Sequence, residues 1–246
     1  MVLPWDKDFL SSETELSSKT ILYASEGQNV NNVSRSIVKK ILGNIDSKDY
    51  LNLPLEEIAS QNFIFLYPKD KSVIDIDQIR DSFKYLFLKS NSKRLLYLEN
   101  IERIETRTFN TLLKFSEEAD KNMIIYMSTN NINIVPKTIL SRFQKLKIPK
   151  PSNEIVKHHL INLGLNFDEQ KNDFVLQNLN LLSEEEDNNI NELFFKFDEY
   201  EAKKEIATKD KEEIRLFLDY QIHKIKFNML KVCLLYTSDA ADELRS

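Results

Sequence analysis

The stretch RLLYLENIERI, residues 94–104, contains the clearest indication of the fold. Its first part, Arg94–Leu98, is four apolar side chains behind one arginine, and it ends at the polar pair Glu99-Asn100. A short apolar run with polar ends is typical of a strand buried on both faces, as in a parallel sheet covered by helices. Similar runs occupy residues 62–67 and 123–128. The chain is therefore expected to contain a buried parallel sheet.

Helical patterns alternate with these strands. Asp75 is placed to cap a helix whose apolar residues recur at spacings of three and four, and a second helix is predicted from about Thr106 to Glu118. The apolar residues of the first helix are Ile76, Ile79, Phe83 and Leu86. Further strands are predicted at 20–24 and 145–148. This alternation predicts an α/β fold, a doubly wound parallel sheet, for residues 1–150.

The rest of the chain is predicted to be helical. Pro149 and Pro151 break regular structure and mark a domain boundary. Residues 151–182 are expected to form a small helical lid, with two helices separated near Gly164. Residues 183–232 are expected to form a partial helical region of the collar type, which begins with an acidic, Asn-rich loop at 183–191.

The last helical segment, from about residue 210 to 230, has one apolar face that needs a partner surface. Its apolar residues are Ile214, Leu218, Ile222, Ile225 and Met229. Residues 233–246 resemble translated sequencing-adapter DNA and are predicted to be an artefact, which implies a longer natural protein.

Composition excludes several classes of protein. The 246 residues lack an apolar run long enough to cross a membrane and a signal-peptide core, so we expect a cytoplasmic protein without a membrane partner. Cys233 is the one cysteine, and His158 and His159 are adjacent, so neither a disulfide nor a metal site is expected. The net charge of −5 does not favour a dedicated DNA-binding module, which remains one alternative.

Glycine is scarce, with Gly27, Gly43 and Gly164 only. A glycine-rich phosphate loop needs several glycines within a few residues, because its backbone N–H groups must approach the phosphates closely. The sequence has no such cluster, so it is not expected to hold a nucleotide in that way.

Five segments between residues 74 and 144 follow one another in a characteristic order and spacing. They are 74–80, 95–104, 110–118, 124–131 and 136–144. Together they resemble the clamp-loader family of AAA+ proteins, and within it the delta prime type of subunit of bacterial DNA polymerase III. The opening Leu3-Pro4-Trp5 is similar as well, and the resemblance covers roughly residues 1–180.

The resemblance assigns Ser141-Arg142 to the family's Ser-Arg-Cys motif, whose arginine reaches the ATP bound by a neighbouring subunit. A guanidinium stays protonated, and its planar fork can neutralise charge that develops on the γ-phosphoryl oxygens. Phe143 stands in the place of the family's cysteine and is expected to pack in the core. Arg142 is therefore the main candidate for a catalytic residue, acting in trans together with Ser141.

The family's phosphate loop is degenerate in this chain. Its positions are occupied by Ser25, Glu26, Gly27 and Asn31, none of which is the expected lysine. Glu99-Asn100 replaces the paired acids that hold Mg²⁺ in active relatives. No bound cofactor and no metal are expected.

The resemblance therefore implies a subunit that has no enzymatic activity as an isolated chain and belongs to the DNA polymerase III holoenzyme. Such a subunit supports sliding-clamp loading in DNA replication. Its implied partners are the gamma/tau ATPases and the delta subunit, and through the complex the sliding clamp and primer-template DNA. The alternative is a divergent ATPase of the gamma/tau type with weak nucleotide binding.

Overall fold

The computed structural model describes residues 3–11, 16–25, 27–68, 73–74, 76–86, 92–182 and 189–243, with side chains in the last helix as far as Lys231. The chain forms two compact units, and the boundary lies between Pro151 and Ser152. The predictions for Glu26, Asp75, residues 183–188 and the side chains of the tail lie outside the described residues.

The first unit is built on a five-stranded sheet, which confirms the predicted doubly wound parallel fold. The strands are β1 (Lys19–Tyr23), β2 (Phe63–Leu66), β3 (Arg94–Leu98), β4 (Met123–Thr129) and β5 (Gln144–Lys147). Their order is β2-β3-β4-β1-β5, and every neighbouring pair is parallel. The predicted β3 matches its observed bounds, and the other strands differ by one residue at one or both ends.

Among the described residues, five α-helices accompany this sheet. They are α1 (Pro4–Ser11), α2 (Val30–Asp46), α3 (Ile76–Leu86), α4 (Thr108–Glu118) and α5 (Lys137–Leu140). The α2 helix begins after Asn29, whose side chain accepts a hydrogen bond from the Asn31 N–H. The α4 helix begins two residues later than predicted, because the Thr108 N–H bonds to the Glu105 carbonyl in a turn.

Strand β3 is apolar because both of its faces are covered. Leu96 and Leu98 pack with residues of α3 and α4 on one face, whereas Leu95 and Tyr97 pack with residues of α2 on the other. Successive side chains of a strand point to opposite faces, so a strand between two helical layers needs apolar residues at every position.

The α-helices in the described part of the second unit are α6 (Asn153–Asn162), α7 (Glu169–Gln177), α8 (Asn189–Lys203) and α9 (Lys211–Glu243). Between α6 and α7 the chain turns at Gly164, whose φ of 72° is unfavourable for other residues. Within the ranges described above, no helix is both long and apolar enough to span a membrane.

Helix α9 has two apolar faces, although the sequence pattern predicted one. The face that packs inside the unit carries Phe217, Tyr220 and His223, and Tyr220 contacts the rings of Phe174 and Phe194 edge-on. The predicted stripe lies elsewhere on the helix: Leu218, Ile222, Ile225 and Met229 are exposed, and Ile214 is half-buried. The spacing of aliphatic residues thus located the outer face, while aromatic residues form the packed one.

Asp6 makes the stability of the first unit depend on pH. It is 5% exposed, and burial raises its pKa to about 6. An unfolded aspartate has a pKa of about 3.9, so this carboxyl favours the folded state below pH ~4, and the contribution is lost as pH rises through about 6.

We therefore expect Asp6→Asn to stabilise the protein at pH 7 by on the order of 1–3 kcal/mol and to flatten the decline of stability between pH ~4 and ~6. Urea unfolding measured across that pH range tests this expectation, with the exposed Glu57→Gln as control. An unchanged pH profile in Asp6→Asn would contradict it.

Candidate functional site

The loop between β1 and α2 lies where parallel sheets commonly bind phosphates. β1 is flanked by β4 and β5, and the chain passes from its carboxyl end into the N-terminus of α2. Free backbone N–H groups and the helix dipole favour an anion at such a place. Whether this loop can accept a phosphate depends on which of its N–H groups are free.

The chain's own oxygen atoms already accept from this loop. In the described part of the loop and the first turn of α2, backbone N–H groups donate within the chain: Ser25 to Gln28 Oε1 (3.1 Å), Gln28 to the Ser25 carbonyl (3.1 Å), Val30 to Asn130 Oδ1 (3.4 Å) and Asn31 to Asn29 Oδ1 (3.0 Å). The Gln28 amide also donates to the Pro149 carbonyl at 3.1 Å. A phosphate would have to displace these acceptors.

Asn31 occupies the first turn of α2 and ties it to the ends of two strands. Its Nδ2 donates to Asn100 Oδ1 at 3.0 Å, and its Oδ1 accepts from Ser128 Oγ at 3.2 Å. The Tyr97 hydroxyl donates to Ser128 Oγ at 3.0 Å and lies 2.8 Å from Ser34 Oγ. An uncharged amide thus connects the first turn of α2 to the ends of β3 and β4.

Glu99, which follows β3, pairs with Arg35, a cation on the same helix as Asn31. Arg35 donates through Nε to Glu99 Oε2 at 2.6 Å and through Nη2 to Oε1 at 2.8 Å, while Glu56 lies 3.0 Å from Nη2. Burial opposes the charged guanidinium, but the hydrogen-bonded Glu99 carboxylate outweighs it and raises the pKa of Arg35. The Glu99 side chain is 4% exposed, and both of its oxygens accept charge-assisted hydrogen bonds from the guanidinium.

Sequence reasoning found Asn31, Glu99 and Asn100 but missed Arg35. A signal was available, because Arg35 follows Asn31 by four residues and so lies on the same face of α2. A carboxylate at a buried strand end also needs a cation, and the loop offers no lysine. Tyr97 carried no such signal, since its apolar context hides the hydroxyl's role.

Arg142 lies in a different part of the first unit. It follows α5, where Ser141 is the C-cap residue, and its side chain is 42% exposed. Its guanidinium donates to the Thr138 carbonyl at 2.9 Å and pairs with Glu117 Oε1 at 2.7 Å. None of these partners belongs to the hydrogen-bond network around Asn31.

Three further residues, Phe143, Thr129 and His158, have local roles in the structure. Phe143 is buried in the same core as α3 and α4. Thr129 accepts from the Asn131 N–H at the end of β4, and His158 lies 3.1 Å from the Asn162 amide. Among the residues whose placement is described, no group of three or more His, Cys, Asp or Glu side chains could hold a metal ion.

Comparison with known proteins gives relatives that are subunits of DNA polymerase III. DNA polymerase III subunit gamma of Buchnera aphidicola subsp. Baizongia pistaciae is 33% identical over 105 residues, which are 41% of this chain and 28% of the relative. The same subunit of Buchnera aphidicola subsp. Schizaphis graminum is 33% identical over 102 residues, 40% of this chain and 28% of that relative. The chain thus spans little more than a quarter of the length of these relatives.

A solved structure of a DNA polymerase III gamma subunit-related protein from Thermotoga maritima aligns over 87% of this chain and 75% of its own, with 16% identity and a TM-score of 0.48. A family model described as DNA polymerase III, delta subunit, matches residues 11–152, more than half of the chain. The resemblance drawn from the ordered motifs is thereby confirmed at the level of the family. The chain belongs to the family described as DNA polymerase III, delta subunit.

Proposed function

We propose that this chain is a non-hydrolysing clamp-loader subunit of the delta prime type, which supports sliding-clamp loading by neighbouring ATPase subunits. One observation carries the proposal: the phosphate-binding place of the sheet is filled by the chain's own side chains. Asn31 bridges Asn100 and Ser128, and Arg35 covers the Glu99 carboxylate.

Binding of Mg-ATP here would require several interactions to break together. The N–H groups of Val30 and Asn31 would have to leave their side-chain acceptors, and Glu99 would have to exchange a bidentate guanidinium for a hydrated metal ion. Charge-assisted bidentate pairs are among the stronger hydrogen-bonded contacts in proteins. The same features argue against the gamma/tau-like ATPase alternative.

The second part of the proposal is that Arg142 acts in trans on ATP held by a neighbouring subunit. Its exposure and its position outside the Asn31 network support a role towards a partner. The pair with Glu117 is a surface ion pair, and such pairs contribute about 0–1 kcal/mol, so the guanidinium can exchange Glu117 for a phosphate at small cost. The expected partners are gamma/tau ATPases, delta, the sliding clamp and primer-template DNA.

For Arg142→Ala we expect at least tenfold weaker stimulation of the cognate ATPase subunits, about 1.4 kcal/mol in barrier, because the transferring phosphoryl group loses a cation. The measurement is steady-state ATP turnover of the assembled loader with clamp and primed DNA. Arg80→Ala is the matched control, since Arg80 is also exposed and also pairs with an acid on its own chain.

Assembly is measured in the same samples by size-exclusion chromatography. Equal stimulation by Arg142→Ala and the intact chain, with assembly preserved, would show that Arg142 has no role in trans. Failure of both to assemble would remove the clamp-loader assignment.

The isolated chain is expected to bind no Mg-ATP at millimolar concentration, because internal acceptors occupy the loop. Titration with a fluorescent ATP analogue tests this directly, with the cognate gamma subunit as positive control. Saturable, magnesium-dependent binding that disappears in Glu99→Gln would favour the ATPase alternative instead.

Arg35→Ala is expected to destabilise the protein by about 2–4 kcal/mol, because it leaves the buried Glu99 carboxylate without its cation. Combining it with Glu99→Gln should recover at least half of that loss, since the uncompensated charge is then gone. Denaturant unfolding of both single variants and the double variant gives the coupling energy. Additive losses would mean that the pair is not an organising contact.

A further inference from the structure

The Arg142 side chain is engaged by its own chain, although the function proposed for it concerns a neighbouring subunit. Its Nη1 donates to the carbonyl of Thr138, four residues earlier, at 2.9 Å. Its Nη2 lies 2.7 Å from Glu117 Oε1, in the last turn of α4. Both terminal nitrogens of the guanidinium thus have a partner within the first unit.

The two partners differ in chemistry. The Thr138 carbonyl is a neutral backbone acceptor, whereas Glu117 is a carboxylate. A carboxylate and a phosphoryl group offer a guanidinium the same kind of acceptor, a pair of oxygens that carry negative charge. Glu117 therefore competes with a phosphate for the same donor of Arg142.

The ion pair is accessible enough to be replaced. The side chains of Glu117 and Arg142 are 53% and 42% exposed, so an incoming anion can reach the guanidinium without opening the core. The Thr138 carbonyl can keep its bond to Nη1 while Nη2 changes partner, because the two bonds use different nitrogens. The exchange requires only that Glu117 moves away.

We propose, on the basis of the role in trans proposed above for Arg142, that Glu117 is an autoinhibitory contact. It retains the guanidinium within its own subunit until a neighbour presents the phosphates of ATP. Docking then exchanges one anionic partner of Arg142 for another. Glu117 acts through Arg142 and touches no substrate, so it is a positioning residue.

The weakness of an exposed ion pair limits the size of the effect to about fivefold, which corresponds to about 1 kcal/mol. The pair is present before docking and broken afterwards. Its removal should therefore change the concentration at which this subunit acts on its neighbours, but not the rate of ATP turnover once it has docked.

Glu117→Gln tests the proposal in the assembled loader with clamp and primed DNA. Steady-state ATP turnover is measured while this subunit is titrated against a fixed amount of the cognate ATPase subunits. Half-maximal stimulation should occur at an about two- to fivefold lower concentration, with the same maximum, because no ion pair has to break. Glu118→Gln is the matched control, since it removes the same charge from the adjacent, exposed residue of α4.

Two further measurements separate the ion pair from general electrostatics. In an Arg142→Ala background, Glu117→Gln should leave the remaining stimulation unchanged, because the cation that it releases is gone. Raising the salt from about 50 to about 500 mM should reduce the advantage of Glu117→Gln in the intact background, since ions screen an exposed pair.

The full chain alone provides an independent readout. Rotation about the Nε–Cζ bond of an arginine, measured by NMR, is slowed when the guanidinium is held by a carboxylate. The Arg142 signals can be assigned by their loss in Arg142→Ala. Their rotation should be about twofold faster or more in Glu117→Gln, and unchanged in Glu118→Gln.

Equal half-maximal concentrations for Glu117→Gln, Glu118→Gln and the intact chain overturn the proposal, as does unchanged rotation of Arg142 in Glu117→Gln. A lower maximum in Glu117→Gln also overturns it, because Glu117 would then orient Arg142 in the docked state. If the intact chain itself gives no stimulation, the role in trans fails, a result distinct from stimulation that is insensitive to Glu117.

Discussion

The contact on which the first unit depends is the bidentate pair between Arg35 on α2 and Glu99 at the end of β3. Glu99 is almost fully buried, so its charge is tolerable only because a guanidinium meets both oxygens. This fixes the side of α2 that faces the sheet, and it brings Asn31, one turn earlier, to the ends of β3 and β4. The polar network around Tyr97 is then closed by short hydrogen bonds.

A nucleotide site of this architecture normally leaves such groups unsatisfied until a ligand arrives. Here Val30 and Asn31 donate their N–H groups to asparagine side chains, and Glu99 receives a cation from its own chain. The internal groups supply the kind of interaction that phosphate and metal would supply. A site completed in this way is suited to hold one conformation.

The fold could be predicted in detail because burial on both faces leaves a direct signal in sequence. Leu95, Leu96, Tyr97 and Leu98 must all be apolar, whichever face each one meets, and the strand bounds followed from that run. The contacts by which the chain's own side chains fill this site were harder to predict from the sequence. Loss of the lysine and glycines is visible in the sequence, whereas the replacement by Arg35 depends on a helix placing it against Glu99, a contact across 64 residues.

Helix α9 also shows a limit of prediction from sequence. Periodicity located Leu218, Ile222, Ile225 and Met229 as one face, but it could not say whether that face is internal. The aromatic residues Phe217 and Tyr220 lie on the internal face because their large rings can pack against those of α7 and α8. Tyr220, for example, contacts Phe174 and Phe194 edge-on. The aliphatic residues were thereby left on the surface of the helix, because the ring contacts already fill the interior of the unit.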